Sequence, residues 1–178
     1  MPTTYAHYKF GKEVLSALPR PLQNSIEAHR ELFDIGLHGP DILFYYNALK
    51  KDPVNEQGHT LHEQFADEFF HHAVEVIEKA KDPAAARPYI YGFICHFALD
   101  SECHPYVEKI MQVGRVSHNE IEMELDRMML TEDYHDPLRY LTAKHIQPKM
   151  EYAEVIAPFF KDVTAEQIYK ALKGMVFY

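Results

Sequence analysis

Three side chains able to grip a divalent cation, His96, Asp100 and His104, recur every four residues in the apolar stretch "GFICHFALDSECHPYV". Residues four apart on an α-helix differ by about 40° around the axis and lie one turn apart. His96 and Asp100 would then point the same way, about 6 Å apart, a separation suited to one ion. Alone, such a pair is more often a core histidine hydrogen-bonded to an aspartate than a metal site. A second pair of this form, His118 and Glu122, stands in "SHNEIEMELD". Flanked by Glu120 and Glu124, it would by itself also fit a solvated face. Two such pairs on separate helices match the way helical bundles build metal centres from facing side chains. Imidazole and carboxylate donors without thiolate suit zinc, manganese or iron(II), whereas magnesium or calcium would prefer oxygen ligands alone.

Three more candidates sit at turns and helix starts. Asp41 follows "HGP", where Gly39 and Pro40 fix a turn and aim its carboxylate, although a helix N-cap before "ILFYY" would look the same. His62 falls in the first turn of a helix that a Thr60–Glu63 capping box would open. His7 lies in the first helix, near Tyr5 and Phe10, and a buried structural role would suit it as well. Of the twelve histidines, His71 and His72 diverge by about 100° as helical neighbours and cannot easily share an ion. His38, His59, His135 and His145 read as turn or surface residues, with His38 and His59 able to edge a pocket. Phe44, Tyr45 and Tyr46 read as core.

The elements that must position these groups are helical, because alternating strand patterns are nearly absent. The fold class is all-α. A first helix, capped by Thr3 and Thr4, should run to about Leu18 and stop at "PRP". A second should cover Leu22–Phe33, and the one opened at Thr60 should reach about Lys81. The next should begin at Pro88 and end near Cys103, because Pro105 disfavours helical geometry at His104. "RVSHNEIEMELDRMML" should be a helix with Val116, Ile121, Leu125, Met128 and Met129 as its apolar stripe. A helix bent at Pro148 and a last one, capped by Thr164 and running to about Lys173, complete the chain. It closes on "KGMVFY" as an apolar pattern resumes, which either a truncated chain or an end docked into the core would explain.

The 178 residues, 47% of them hydrophobic, suit one globular domain spanning 1–178. A net charge of -9 argues against a broad nucleic-acid or anionic-membrane surface. No stretch approaches the roughly 20 apolar residues of a membrane span, and the start lacks the basic leader and apolar run of a secretory signal. Cys95 and Cys103 would lie about two turns apart on one helix, too far for a disulfide. They read as free thiols that pack, and cytoplasmic residence is the expectation.

Taken in order, "YAHYKFG", "LHGPDILFYY", "LHEQF", "GFICHFALDSECHPYV" and "SHNEIEMELD" resemble the zinc-dependent phospholipase C family, which is related to fungal single-strand nucleases with a trinuclear zinc site. The likeness spans residue 1 to about residue 130. It implies a multi-helix bundle and a metal-dependent phosphoric diester hydrolase, in which a metal-activated water attacks phosphorus. It implies two or three zinc ions, with manganese or iron as substitutes. One ion would take Asp41, His62, His96 and Asp100; a second His104, His118 and Glu122; a third His7 with a share of Asp100. Asp41 would be ligand, general base or both. The substrate implied is a phospholipid or other small phosphodiester, with nucleic acid only as a substrate. Three features depart from the family pattern, one being that Asp100 and His104 stand closer in sequence than in the secreted members. The secreted members bind the third ion partly through a processed N-terminal residue, whereas six residues precede His7 here. Ile42 and His59 stand where choline-preferring members carry aromatic residues.

Overall fold

The computed structural model describes residues 4–178, and among them every regular element is helical. The elements are α1 (Thr4–Ala17), α2 (Arg20–Glu27), α3 (Arg30–Gly36), a 3₁₀ helix (Gly39–Tyr45), α4 (Pro53–Glu63), α5 (Ala66–Lys79), α6 (Pro83–Val113), α7 (His118–Glu132), α8 (Met150–Ile156), a short 3₁₀ turn (Ala157–Phe159) and α9 (Ala165–Phe177). The all-α expectation holds.

The core is organised around α6, which is 31 residues long. Its start is set by Asp82, whose carboxylate accepts from the Ala84 and Ala85 amides, with Pro83 at the first helical position. Its first half buries Ala85, Ala86, Tyr89, Ile90 and Phe93 against α3, α5 and α8. The crossing with α3 is close because glycines meet there. A β-carbon on Gly36 would stand 2.1 Å from the Tyr89 carbonyl oxygen, and one on Gly92 2.2 Å from that of Phe33. No side chain fits such a contact, so Gly36 and Gly92 set how near α3, and the 3₁₀ helix after it, comes to α6.

Several boundaries differ from the sequence expectation. The predicted helix over 22–33 is two helices, broken at Ala28 and His29. No helix opens at Thr60. Its hydroxyl bonds back to the Glu56 carbonyl inside α4, and His62 lies in the last turn of that helix rather than the first turn of the next. The true cap is Asp52, paired reciprocally with Asn55. α6 does not start at Pro88 or stop at Cys103; it carries Pro88 and Pro105 within it. Pro105 leaves the Ser101 carbonyl without its helical donor, but both residues are exposed, so water can serve it. Continuing the helix places Val107 in the core.

On α7 the buried positions are Glu122, Asp126 and Leu130, whereas Val116 and Met128 of the expected stripe are exposed. The segment predicted to bend at Pro148 is turns and irregular chain from 133 to 149, and α8 begins only at Met150. Ser117 with Glu120 and Thr164 with Gln167 form the capping boxes of α7 and α9. Thr4 is the first residue of α1, and Thr3 lies outside the described residues. The "KGMVFY" pattern is the last turn of α9: Met175 docks in the core, while Val176, Phe177 and Tyr178 are exposed.

Candidate metal centre

Five separate elements converge where α6 passes the middle of the molecule. α1 brings His7, the first 3₁₀ helix brings Asp41, the end of α4 brings His62, α6 brings His96, Asp100 and His104, and α7 brings His118 and Glu122. Every candidate named from sequence therefore reaches one region. Within it, three sets have ligand atoms all within 4.8 Å of one another: His7, His96 and Asp100; Asp41, His62 and His96; and His104, His118 and Glu122.

Asp100 stands between the sets. Its Oδ1 is 3.2 Å from His7 Nε2, and its Oδ2 is 3.4 Å from His96 Nε2, 3.7 Å from His62 Nε2 and 4.0 Å from His104 Nε2. His62 Nε2 is also 3.0 Å from Asp41 Oδ1. The i, i+4 spacing on α6 thus does what its geometry implies: three donors line one stripe, with the central carboxylate serving both neighbours.

Several of these atoms are buried without a hydrogen-bond partner among the described residues, including both ring nitrogens of His7 and His96, Nε2 of His62 and His104, and Asp41 Oδ1. The nitrogen–oxygen approaches above lie within ion-pair range but lack hydrogen-bond alignment, so close approach and missing partners coexist. Leaving one buried polar group unsatisfied costs about 1–3 kcal/mol. A cluster of such groups, all of metal-binding type and all aimed at shared points, is what a set of cations would satisfy. The donor set fits zinc.

Burial and charge oppose each other here. Burial holds His96 down to about 4, helped by the neighbouring His7, although the Asp41 and Asp100 carboxylates pull the other way. Burial would raise Asp100, but His7, His96 and His104 more than offset it and hold the acid at about 2. Burial would lower His62, yet the Asp41 carboxylate beside it pushes it up. An ionised hub surrounded by imidazoles is the protonation pattern a cation needs.

Tautomers are partly fixed by the fold. His62 Nδ1 lies 2.7 Å from the Gly58 carbonyl oxygen, so the Nδ1–H donates there and leaves Nε2 free to bind an ion. His96 is positioned by sterics. Gly39 adopts φ +46, and a β-carbon on it would stand 2.3 Å from the His96 ring. The chain at Gly39 is therefore a cradle for that imidazole, and only glycine adopts this backbone geometry freely.

The His104, His118 and Glu122 set is more open: the His104 side chain is 36% exposed and His118 30%. His118 Nε2 is 2.7 Å from Glu122 Oε1.

Other histidines fall outside these sets. His71, His72 and His59 are exposed. The Phe44 ring lies 4.4 Å from His59 and 5.5 Å from His62, centroid to centroid, so this half-buried aromatic borders the centre rather than filling the core. His38 and His145 lie in turns as expected but not at the surface. Their Nε2 atoms are 2.7 Å apart, Tyr8 stacks on His145, and His38 is fully enclosed. Burial first, then the adjacent ring, holds His38 well down, and burial brings His145 to about 3. A single N–H···N bond joins the two Nε2 atoms and satisfies both of them, which eases the burial of the pair. Cys95 packs in a buried apolar cluster and Cys103 is half-buried; both are free thiols.

The sequence motifs assign no role to Asp126 or Asp133, and Tyr5 stands there only as a neighbour of His7. Asp126 accepts the Tyr5 and Ala6 backbone amides, while Asp133 accepts the Tyr5 hydroxyl and pairs with Lys9. One signal was available: Asp126 repeats the four-residue spacing of His118 and Glu122.

The fold and the site together define an all-α protein with clustered histidines and carboxylates around one aspartate. The family model described as zinc dependent phospholipase C matches residues 6–174, and the chain belongs to that family. Membership supports hydrolase activity in general and makes zinc the expected ion. Comparison with curated proteins gives no match, nor does comparison with solved structures. No helix among the described residues is long and apolar enough to cross a membrane.

Proposed function

We propose that the chain hydrolyses phosphodiesters of phospholipid type at a zinc centre built on Asp100. One ion would be held by Asp41, His62, His96 and Asp100, a second by His104, His118 and Glu122, and a third by His7 with Asp100. When bound, zinc supplies a Lewis acid for the phosphoryl oxygens and brings the pKa of an attached water toward neutral.

The chain's own groups do the rest. Asp100 stays ionised, because the surrounding imidazoles hold its acid low, and so offers a permanent negative charge between the sets. Asp41 has a buried Oδ1 without a hydrogen bond, able to take a proton from a water placed against it. His62 is locked by the Gly58 carbonyl and keeps its Nε2 turned to the same place. His104 and His118, each about a third exposed, leave the outer set nearer to solvent, where an anionic diester would have access. The cations would offset the repulsion that a protein of net charge -9 exerts on such a substrate.

The observation that carries this reading is the approach of four histidine Nε2 atoms to one carboxylate at 3.2–4.0 Å. The test is an assay of the zinc-loaded protein against phospholipids, single-stranded DNA and aryl phosphodiesters. Turnover of phospholipid and aryl diester, abolished by chelation and restored by zinc, is expected. Preference for DNA would make it a nuclease on the same core, and no turnover at full zinc content would make the centre non-catalytic.

A further inference from the structure

The start of α1 is held by another helix. A helix leaves its first backbone N–H groups without internal acceptors, and a residue just ahead of the helix commonly supplies one. Here Tyr5 N donates to Asp126 Oδ2 at 3.0 Å and Ala6 N to Asp126 Oδ1 at 2.9 Å. Asp126 lies on α7, more than a hundred residues away, and is only 8% exposed. Both oxygens are engaged, the acceptor is charged, and it faces the positive end of the helix dipole, three features that each strengthen the contact. A second tie lies further out: the Tyr5 hydroxyl donates to Asp133 Oδ2 at 2.6 Å, and Lys9 Nζ meets Asp133 Oδ1 at 2.9 Å.

His7 is the next residue after Ala6. It is 1% exposed, stacks on His96 with centroids 4.4 Å apart, and sets Nε2 3.2 Å from Asp100 Oδ1. A shift of α1 along or away from α7 would move this nitrogen off Asp100. Glu122 is one turn before Asp126 on the same helix and belongs to the outer set. The α7 face that supplies a donor to one set therefore also anchors the helix that supplies a donor to another.

We infer that Asp126 is a positioning residue for the His7 site: by capping α1 from α7, it sets where His7 meets Asp100. The inference rests on the proposed ligand role of His7. Apolar residues at 126 would still pack α7, but they would not fix the register of α1.

Zinc stoichiometry and affinity, measured by native mass spectrometry and competition with a chelator on the full chain, test it. His7→Ala should empty one site and leave the others filled. Asp126→Asn, which retains shape but loses the second charged acceptor, should weaken that same site about 10–100-fold, the range for outer-shell partners of a metal ligand. The other sites should keep their affinity and helix content should be unchanged. In the double variant, Asp126→Asn should add nothing to His7→Ala, since no donor remains to be positioned. Should Asp126→Asn fail to fold, Asp133→Asn loosens the outer tie alone and should weaken the same site by a smaller factor. Full affinity at that site in Asp133→Asn and Asp126→Asn, or equal weakening at all sites, would overturn the inference. If His7→Ala empties no site, the ligand reading of His7 fails first, and the inference falls with it.

Discussion

Around His7, Asp41, His62 and His96 the donors are sunk into the protein, brought by four elements, whereas His104 and His118 stand about a third exposed at the far half of α6 and on α7. The inner donors carry buried nitrogens and an oxygen without hydrogen bonds, while His118 and Glu122 meet each other at 2.7 Å. Both regions use imidazole and carboxylate, so chemistry alone does not separate them; surroundings do. Without cations the inner set holds uncompensated buried polar groups, a cost of about 1–3 kcal/mol each. In the outer set His118 meets Glu122 and is about a third exposed, although Glu122 is buried and His104 Nε2, like the inner donors, has no hydrogen bond among the described residues. On the proposed zinc reading, the more deeply buried inner donors would hold their ions longer than the outer set.

Asp100 breaks the comparison most completely, because it touches both regions. Asp100→Asn should lower zinc content by more than one equivalent and reduce kcat by at least ~10³-fold, at the upper end of losses from removing one charge-stabilising group. Metal analysis and turnover of an aryl diester check this together. Full zinc content and activity in the variant would refute the hub role.

The next effect separates the regions. A chelator titration of the zinc-loaded protein should show an early phase and a late one. His118→Ala should remove only the early phase, while activity falls and the melting temperature changes little. His96→Ala should remove the late phase and cost stability, because it also empties a buried space against Phe93 and Gly39. A single phase in both variants would mean that the two regions bind as one.

How much of this was legible in the residues follows the same division. The α6 stripe and the His118–Glu122 pair could be read because four-residue spacing on a helix is local. Asp41 and His62 come together with His96 as the sequence candidates they are, although the helix around His62 differs from the expected one. Thr60 and Glu63 have the composition of a capping box, but the competing Asp52–Asn55 box opens α4 earlier and absorbs them. Pro105 was read as a stop because its local cost is certain, while the packing of Val107 that offsets it is tertiary. Asp126 was missed for a related reason. An acidic residue on α7 looks solvated until α1, folded from the other end of the chain, places two amides against it. The burial of His38 depends likewise on His145, distant in sequence.

Gly39 offers a smaller perturbation, confined to the inner region. Alanine there would face both φ +46 and the His96 ring. Left-handed backbone geometry costs a non-glycine residue about 1–2 kcal/mol before any contact is counted. Gly39→Ala should therefore lower the melting temperature by several degrees and weaken the late chelation phase, leaving the early phase in place. Calorimetry and the same titration report both; a loss confined to the early phase would reverse the assignment of regions.

The two thiols sharpen the contrast at the lowest cost to the protein. Burial pushes Cys95 up to about 11, so at a pH of about 8 it offers almost no thiolate and little access. Cys103, half-buried, is raised by burial and then by the Asp100 and Glu122 carboxylates nearby. A disulfide-exchange reagent should label Cys103 first and reach Cys95 only on unfolding. Filling the sites with zinc should neutralise the carboxylates that hold the Cys103 thiol up, which raises its thiolate fraction and speeds its labelling. Cys95, governed by burial alone, should not respond to zinc. Equal zinc dependence at both thiols would mean that ion binding tightens the whole molecule rather than acting through local charge, and the distinction between inner and outer donors would have to be dropped.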